Sequence, residues 1–225
     1  MDKIRVLIID EQESFRESMR QKLSQQPDFY LLDYDPSKDL MATVDENYPD
    51  AVLLGSNMVA VDSATLSREI VRRYPNVRVI VMSPRPNDDE LFEFIKTAAV
   101  AYLDKRTSAE ELYSTIRRSY HGEYPINESI VTRPAVAQYL LTLFGEIASM
   151  GDGMASIAAP LTHIEKLILT CVTNYSYKKQ IARTLRVNER TVENHVSAIL
   201  RKLITYERAH AVARSMQDDL ISADR

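Results

Sequence analysis

The chain has 225 residues, 45% of them apolar and 27% charged, a balance that excludes disorder as the default and leaves room for one or two domains. No apolar run approaches the ~18 residues of a membrane span, MDKIRVLIID is too acidic for a signal peptide, and the single cysteine, Cys171, excludes a disulfide framework and a Cys-based metal site; a reducing cytoplasm is expected. The net charge of −4 divides unevenly, with ten Lys/Arg against four Glu in residues 161–215 and an acidic balance in residues 1–160, the footprint of a chain that meets phosphates at one end only.

From the N-terminus, strand-like and helix-like patterns alternate. The apolar runs Val6–Ile9, Phe29–Leu32, Ala51–Leu54, Val77–Met82 and Ala101–Leu103 predict buried strands. The amphipathic stretches Phe15–Leu23, Leu40–Tyr48, Leu66–Tyr74, Glu90–Ala99 and Glu110–Tyr120 predict the helices between and after them. Such a succession of βα units implies an α/β doubly wound fold, a five-stranded parallel sheet covered by helices on both faces. Function in such sheets collects outside the carboxyl ends of the strands. Asp10, Glu11, Gly55, Ser56, Ser83 and Lys105 all fall there.

His121–Arg133 reads as a connector, and Pro134 opens a helix. Its apolar positions Val136, Tyr139, Leu140, Leu143, Phe144 and Ile147 form an unbroken stripe, wide enough for a seam between two copies. Met150–Ala159, with Gly151 and Gly153, reads as a flexible linker. The expected domains are therefore 1–122 for the α/β part and 161–225 for an all-α part, with 123–160 joining them. In the second part Thr162 is a natural N-cap with Glu165 three residues on, opening a helix Ile164–Thr173. Cys171, between Leu169 and Val172, reads as a buried structural thiol.

A second helix, Lys178–Leu185, leads into the tight Arg186-Val187-Asn188, and Asn188 can cap a third, Glu189–Leu203. At about 100° per residue, Val192, Val196, Ile199 and Leu203 fall on one side of that helix and face a core. Arg190, Asn194, Ser197 and Arg201 fall on the other, residue types that bond phosphates and base edges. A short helix, a three-residue turn and an amphipathic helix make the helix-turn-helix geometry that fills a DNA major groove.

The run LTHIEKLIL…KKQIARTLRVNERTVENHVSAILRKL strongly resembles the LuxR-type output domain of NarL/FixJ-family response regulators, matching without a gap at Leu161, Thr162, Glu165, Lys179, Ile181, Thr191, Val192, His195, Val196 and Lys202. The resemblance implies double-stranded DNA as the partner, with Lys179, Thr191 and Lys202 on phosphates and Asn194 and Ser197 near bases. Lys178, Arg190 and Arg201 complete the candidate interface, and a final helix from about Tyr206 is the implied dimer seam, to which Val212 and Met216 contribute. Three positions depart from the pattern. Tyr175 and Ile204 stand where the family has turn glycines, and Glu193 where a Lys is common, adding a negative charge near the DNA backbone.

Over nearly its full length the N-terminal part resembles a CheY-like receiver, through VLIIDEQESF, PDAVLLGSNM, VIVMS and AYLDKRTSAEEL. The resemblance places Asp10 and Glu11 as Mg²⁺-holding carboxylates, Ser83 and Lys105 as phosphoryl partners, and Tyr102 as the switch aromatic. The acceptor Asp is replaced by Gly55, whose hydrogen side chain cannot attack a phosphoryl donor. Ser56 points to the opposite face and Asp62 lies in the following loop, so neither is expected to substitute. Pro84 and Pro86 stiffen the loop after Ser83, Ala98 and Ala101 replace common glycines, and Arg85, Lys105 and Arg106 are candidates for an anion or protein-partner site.

The expected protein is thus a sequence-specific DNA-binding transcription regulator and homodimer with a phosphorylation-independent pseudo-receiver, no catalytic chemistry, and no cofactor or metal. The alternatives are a receiver-like adaptor that heterodimerises with another regulator and a ligand sensor using the degenerate pocket.

Overall fold

The computed structural model describes residues 3–32, 34, 39–149, 159–174 and 177–223, with side chains after Glu207 described only for Ala209. Two compact units divide the chain, residues 1–126 and 127–225.

The first unit is built on β1 (Ile4–Ile9), β2 (Phe29–Leu32), β3 (Ala51–Gly55), β4 (Arg78–Ser83) and β5 (Ala101–Asp104), parallel and ordered β2-β1-β3-β4-β5. β3 reads AVLLG because helices cover both faces of the sheet; every one of its residues is buried, so alternation would serve no purpose. Around the sheet lie α1 (Glu13–Leu23), α2 (Leu40–Asn47), α3 (Ser63–Arg73), α4 (Asp88–Lys96) and α5 (Ala109–Tyr120). Ile8, Met19, Leu53, Ile80, Met82, Leu112 and Ile116 lie in the core between α1, α5 and the sheet. The strand order reverses between β1 and β3, which brings Asp10 and Gly55 together at the mouth of the crevice.

Periodicity begins at the first apolar residue and so places four helix starts late, and three of those helices begin at polar side-chain caps. Asp62 accepts from the Thr65 amide and opens α3, Asn87 accepts from Glu90 N and opens α4, and Ser108 accepts from Glu111 N and opens α5. Asp62 is thereby engaged as a cap, with the Thr65 hydroxyl as a second donor.

The second unit holds α7 (Pro134–Ser149), α8 (His163–Asn174), α9 (Lys178–Leu185) and α10 (Glu189–Ala223). A short helix, α6 (Ile126–Val131), lies in the stretch expected to be a plain connector. Val136, Leu140, Phe144 and Ile147 of α7 are buried, and α7 packs along α8 within its own unit. The stripe expected as a seam between two copies is therefore part of a single-chain core; only Tyr139, 40% exposed, stays largely outside it. Cys171 is half-buried rather than fully enclosed, and burial pushes its thiol pKa up. The Met150–Ala159 linker, apart from Ala159, and Tyr175 lie outside the described residues, as do the side chains of Val212 and Met216.

One expectation fails outright. Glu189–Leu203 and the helix after it are not two elements: α10 runs for 35 residues without a break. The reason is local. Leu203-Ile204-Thr205-Tyr206 contains neither Gly nor Pro, so nothing supplies a positive φ or removes an amide donor where a turn would form.

Candidate nucleic-acid interface and receiver pocket

α8 opens on the expected reciprocal cap. Thr162 N donates to Glu165 Oε2 at 2.7 Å, and Glu165 N donates to Thr162 Oγ1 at 3.3 Å. α9 ends at Arg186, which adopts a left-handed conformation (φ 55°) and turns the chain sharply toward α10. Asn188 Oδ1 then accepts from Thr191 N at 2.7 Å and from Thr191 Oγ1 at 2.9 Å. Thr191 is therefore engaged in the helix cap, half-buried, at the edge of the candidate interface.

Val192, Val196, Ile199 and Leu203 are buried to 1% exposure or less, which fixes the rotation of α10. Arg190, Asn194 and Arg201 lie opposite and are exposed, as is Lys179 on α9. Among the described residues these four side chains have no hydrogen-bond or ion-pair partner, so their donors face solvent.

Four other candidates are engaged inside the unit. Lys178 Nζ lies 2.5 Å from Glu193 Oε1 and 3.9 Å from Glu189, and Glu193 first, against the cost of burial, raises the Lys178 pKa. Glu193 is thus a neutralised charge rather than a bare one. Lys202, expected on a phosphate, donates to Glu165 Oε2 at 2.6 Å and to the Pro160 carbonyl at 2.9 Å. Burial pushes the Glu165 carboxyl up, but Lys202 and both Thr162 donors outweigh it and leave the pKa lowered. Ser197, expected near bases, donates to the Glu193 carbonyl at 2.9 Å and accepts from Asn127 Nδ2 of α6 at 2.6 Å.

The receiver pocket is closed by its own side chains. Asp10 Oδ1 accepts from Gln12 N, and Oδ2 lies 2.5 Å from Lys105 Nζ, with side-chain exposures of 2% and 8% for the pair. A Cβ built on Gly55 would stand 2.0 Å from that same Oδ2. Asp10 thus occupies the space that any larger residue at position 55 would need. Lys105 also donates to Asn57 Oδ1 at 2.8 Å and lies over the Phe15 ring. Glu11 turns away, accepting from Val59 N at 2.8 Å and Ala60 N at 2.6 Å, and these amides lower its pKa. Ser83 and Tyr102 both donate to Glu90 Oε2. Arg106 pairs with Asp104, whose carboxyl this bond brings down to about 2, so of the three candidate cations Arg106 is neutralised by its own pair.

Residues 6–117 match the family of the response regulator receiver domain, and residues 159–215 match that of the bacterial regulatory proteins, luxR family. The chain is a response regulator receiver joined to a LuxR-family regulatory domain. It is similar to the transcriptional regulatory protein DegU of Brevibacillus brevis, 29% identical over 96% of this chain and 94% of that one. It is equally similar to the transcriptional regulatory protein LiaR of Bacillus subtilis, 29% identical over 97% of this chain and 100% of that one. The RcsB response regulator of Salmonella typhimurium shares the fold at 17% identity, with a TM-score of 0.51 over 94% of this chain and 100% of that one. So does a LuxR-family response regulator from Aurantimonas, at 17% identity and a TM-score of 0.52 over 61% and 94%. A LuxR-family regulator of this build is a DNA-binding transcription regulator.

In this regulator the pocket does not fit the divalent cation that the receiver fold implies. A hard cation needs several free oxygens. Asp10 is ion-paired to Lys105, Glu11 is held by two loop amides, and Gly55 offers none. Among the described residues no three His, Cys, Asp or Glu side chains converge to hold a metal ion, and no helix is long and apolar enough to cross a membrane. Sequence reasoning missed Asn127 and Glu90, the two residues that close Ser197 and Ser83. Glu90 had a signal, an acidic residue in the first turn after an Asn cap; Asn127, at a sequence separation of 70 from its partner, had none.

Proposed function

We propose that this regulator binds double-stranded DNA sequence-specifically as a homodimer, in the cytoplasm and without catalytic turnover, and that its receiver acts without phosphorylation. The observation that carries the DNA reading is the exposed row Arg190, Asn194, Arg201, opposite a fully buried Val192/Val196/Ile199/Leu203 stripe. Asn194 offers both a donor and an acceptor to a base edge, and the arginines suit guanine or phosphate. Lys179 serves the backbone, while Lys178, Thr191, Glu193 and Lys202 act through the shape of the domain. Independence from phosphorylation is supported by Gly55 and by Asp10 filling the space beside it.

Titrating the protein against its preferred duplex and a scrambled one at fixed salt tests the assignment. Asn194→Ala costs about 1–3 kcal/mol on the preferred site and little on the scrambled one. Equal losses on both move base reading elsewhere. Acetyl phosphate with Mg²⁺ leaves both curves and the intact mass unchanged.

A second reading, an adaptor that pairs with another regulator, is favoured by Asn127 closing Ser197. It requires that no duplex be retained specifically.

A further inference from the structure

Glu90 belongs to none of the expected sites, yet the β4–α4 region converges on it. It stands in the first turn of α4, half-buried, with its amide on the Asn87 cap at 2.9 Å. Its Oε2 accepts from Ser83 Oγ, at the end of β4, at 2.5 Å and from the Tyr102 hydroxyl of β5. The loop between β4 and α4 hangs on the same two groups: Arg85 N donates to Ser83 Oγ at 3.3 Å and Asn87 N donates to Tyr102 Oη at 3.2 Å. Ser83 is 1% exposed and Tyr102 5%, with the Tyr102 ring 6.2 Å from that of Phe94. Two hydroxyls on one carboxylate oxygen are charge-assisted donors, stronger than neutral pairs, and both hydroxyl-bearing residues are buried.

We propose that Glu90 is an internal anionic ligand that clasps Ser83 and Tyr102, holding the β4–α4 loop and the inward Tyr102 ring in one arrangement with no added group. Each hydroxyl turns its hydrogen to Glu90 and leaves its lone pairs for a loop amide, so the carboxylate fixes the direction of all four bonds. Removing the carboxylate frees the hydroxyl hydrogens, and the Arg85 and Asn87 amides lose directed acceptors. Pro84 and Pro86 limit other ways for the loop to settle. Burial first, and then Glu90, pushes the Tyr102 hydroxyl up to about 12, so the donor keeps its proton throughout the neutral range.

Amide hydrogen exchange of the full chain, read by NMR at Arg85 and Asn87, tests the clasp. Both amides exchange slowly in the wild type, unchanged by acetyl phosphate and Mg²⁺. Glu90→Ala speeds both about tenfold, the equivalent of one lost hydrogen bond, and Glu90→Gln, which keeps one acceptor oxygen, speeds them less. Tyr102→Phe speeds Asn87, and combined with Glu90→Ala it adds little, because the two side chains act as one unit. Wild-type exchange in both Glu90 variants overturns the proposal. So does a double variant whose acceleration is the product of the two single effects. Should Glu90→Ala not fold, Glu90→Gln and Tyr102→Phe carry the same comparison. The readout lies within the receiver, so it is indifferent to whether the second unit binds DNA.

Discussion

Lys179 and Lys202 look interchangeable in the sequence, and their surroundings separate them. Glu165 is 3% exposed, and among the described residues Lys202 is its only cation, so Lys202→Met leaves a buried carboxylate without its ion pair at a cost of about 3 kcal/mol. Denaturant unfolding will show that loss, while the salt slope of DNA binding stays at the wild-type value. Lys179→Ala behaves in the opposite way, leaving stability alone and reducing the slope by about 0.9 for the one phosphate contact removed. Identical slopes for Lys179→Ala and wild type place Lys179 off the duplex. A second residue-scale prediction concerns Ala98, which has φ 66° just after α4. That conformation costs an L-residue about 1–2 kcal/mol and glycine almost nothing, so Ala98→Gly stabilises the receiver by about 1 kcal/mol, readable as a higher denaturation midpoint. The alanine was legible as a stiff substitute for glycine; that it sits in the left-handed region was not, since φ is set by the turn that packs around it. The same holds for Asp10. Its place in the crevice follows from the pattern, but its pairing with Lys105 depends on how much room Gly55 leaves.

Among the elements, those with long apolar runs were legible and those defined by a few residues were not. β1, β3 and β4 are each built on a buried apolar run of four or more residues, and their places follow from hydrophobicity alone. α6 has six residues, too few for a period to declare itself, and its sequence reads as plain connector. Yet α6 carries Asn127, 8% exposed, whose amide donates to Ser197. If α10 presents the Ser197 side to the groove, α6 must move before a duplex fits. Asn127→Ala then tightens binding to specific and scrambled duplexes alike, by at most about tenfold, the limit set by one hydrogen bond. Unchanged or weaker binding in a fluorescence anisotropy titration means that this side of α10 stays clear of DNA. The fusion of two expected helices into α10 has the opposite origin. The break is what the family resemblance implies, with a turn glycine where this chain has Ile204, whereas the residues present contain no instruction to stop.

Taken whole, the chain titrates in a predictable direction. The resolved carboxylate shifts run downward: Arg117 lowers Asp28, the Thr65 donors lower Asp62, two loop amides lower Glu11, and Arg106 lowers Asp104. In Glu165 the bonds from Lys202 and Thr162 overcome burial. A carboxyl depressed in the folded state binds its proton more readily when unfolded, so this stability is present above the ordinary carboxyl range and lost as pH falls. Burial shifts Tyr102 upward to about 12 and Tyr206 upward as well, and their contribution is present below the ordinary phenol value and lost as alkalinity rises. The melting temperature is therefore expected to be flat across neutrality and to fall below about pH 4 and above about pH 10, measured by thermal denaturation. A fall beginning near pH 6 would point instead to a histidine.

Finally, the 35 residues of α10 extend about 52 Å at 1.5 Å each, roughly the run of fifteen base pairs. With no hinge between its first turn and its far end, twist applied at one end is delivered to the other as rotation of the whole rod. On the proposed assignment of Arg190 and Asn194 to the duplex, whatever grips the distal end sets the angle at which those two side chains address the bases.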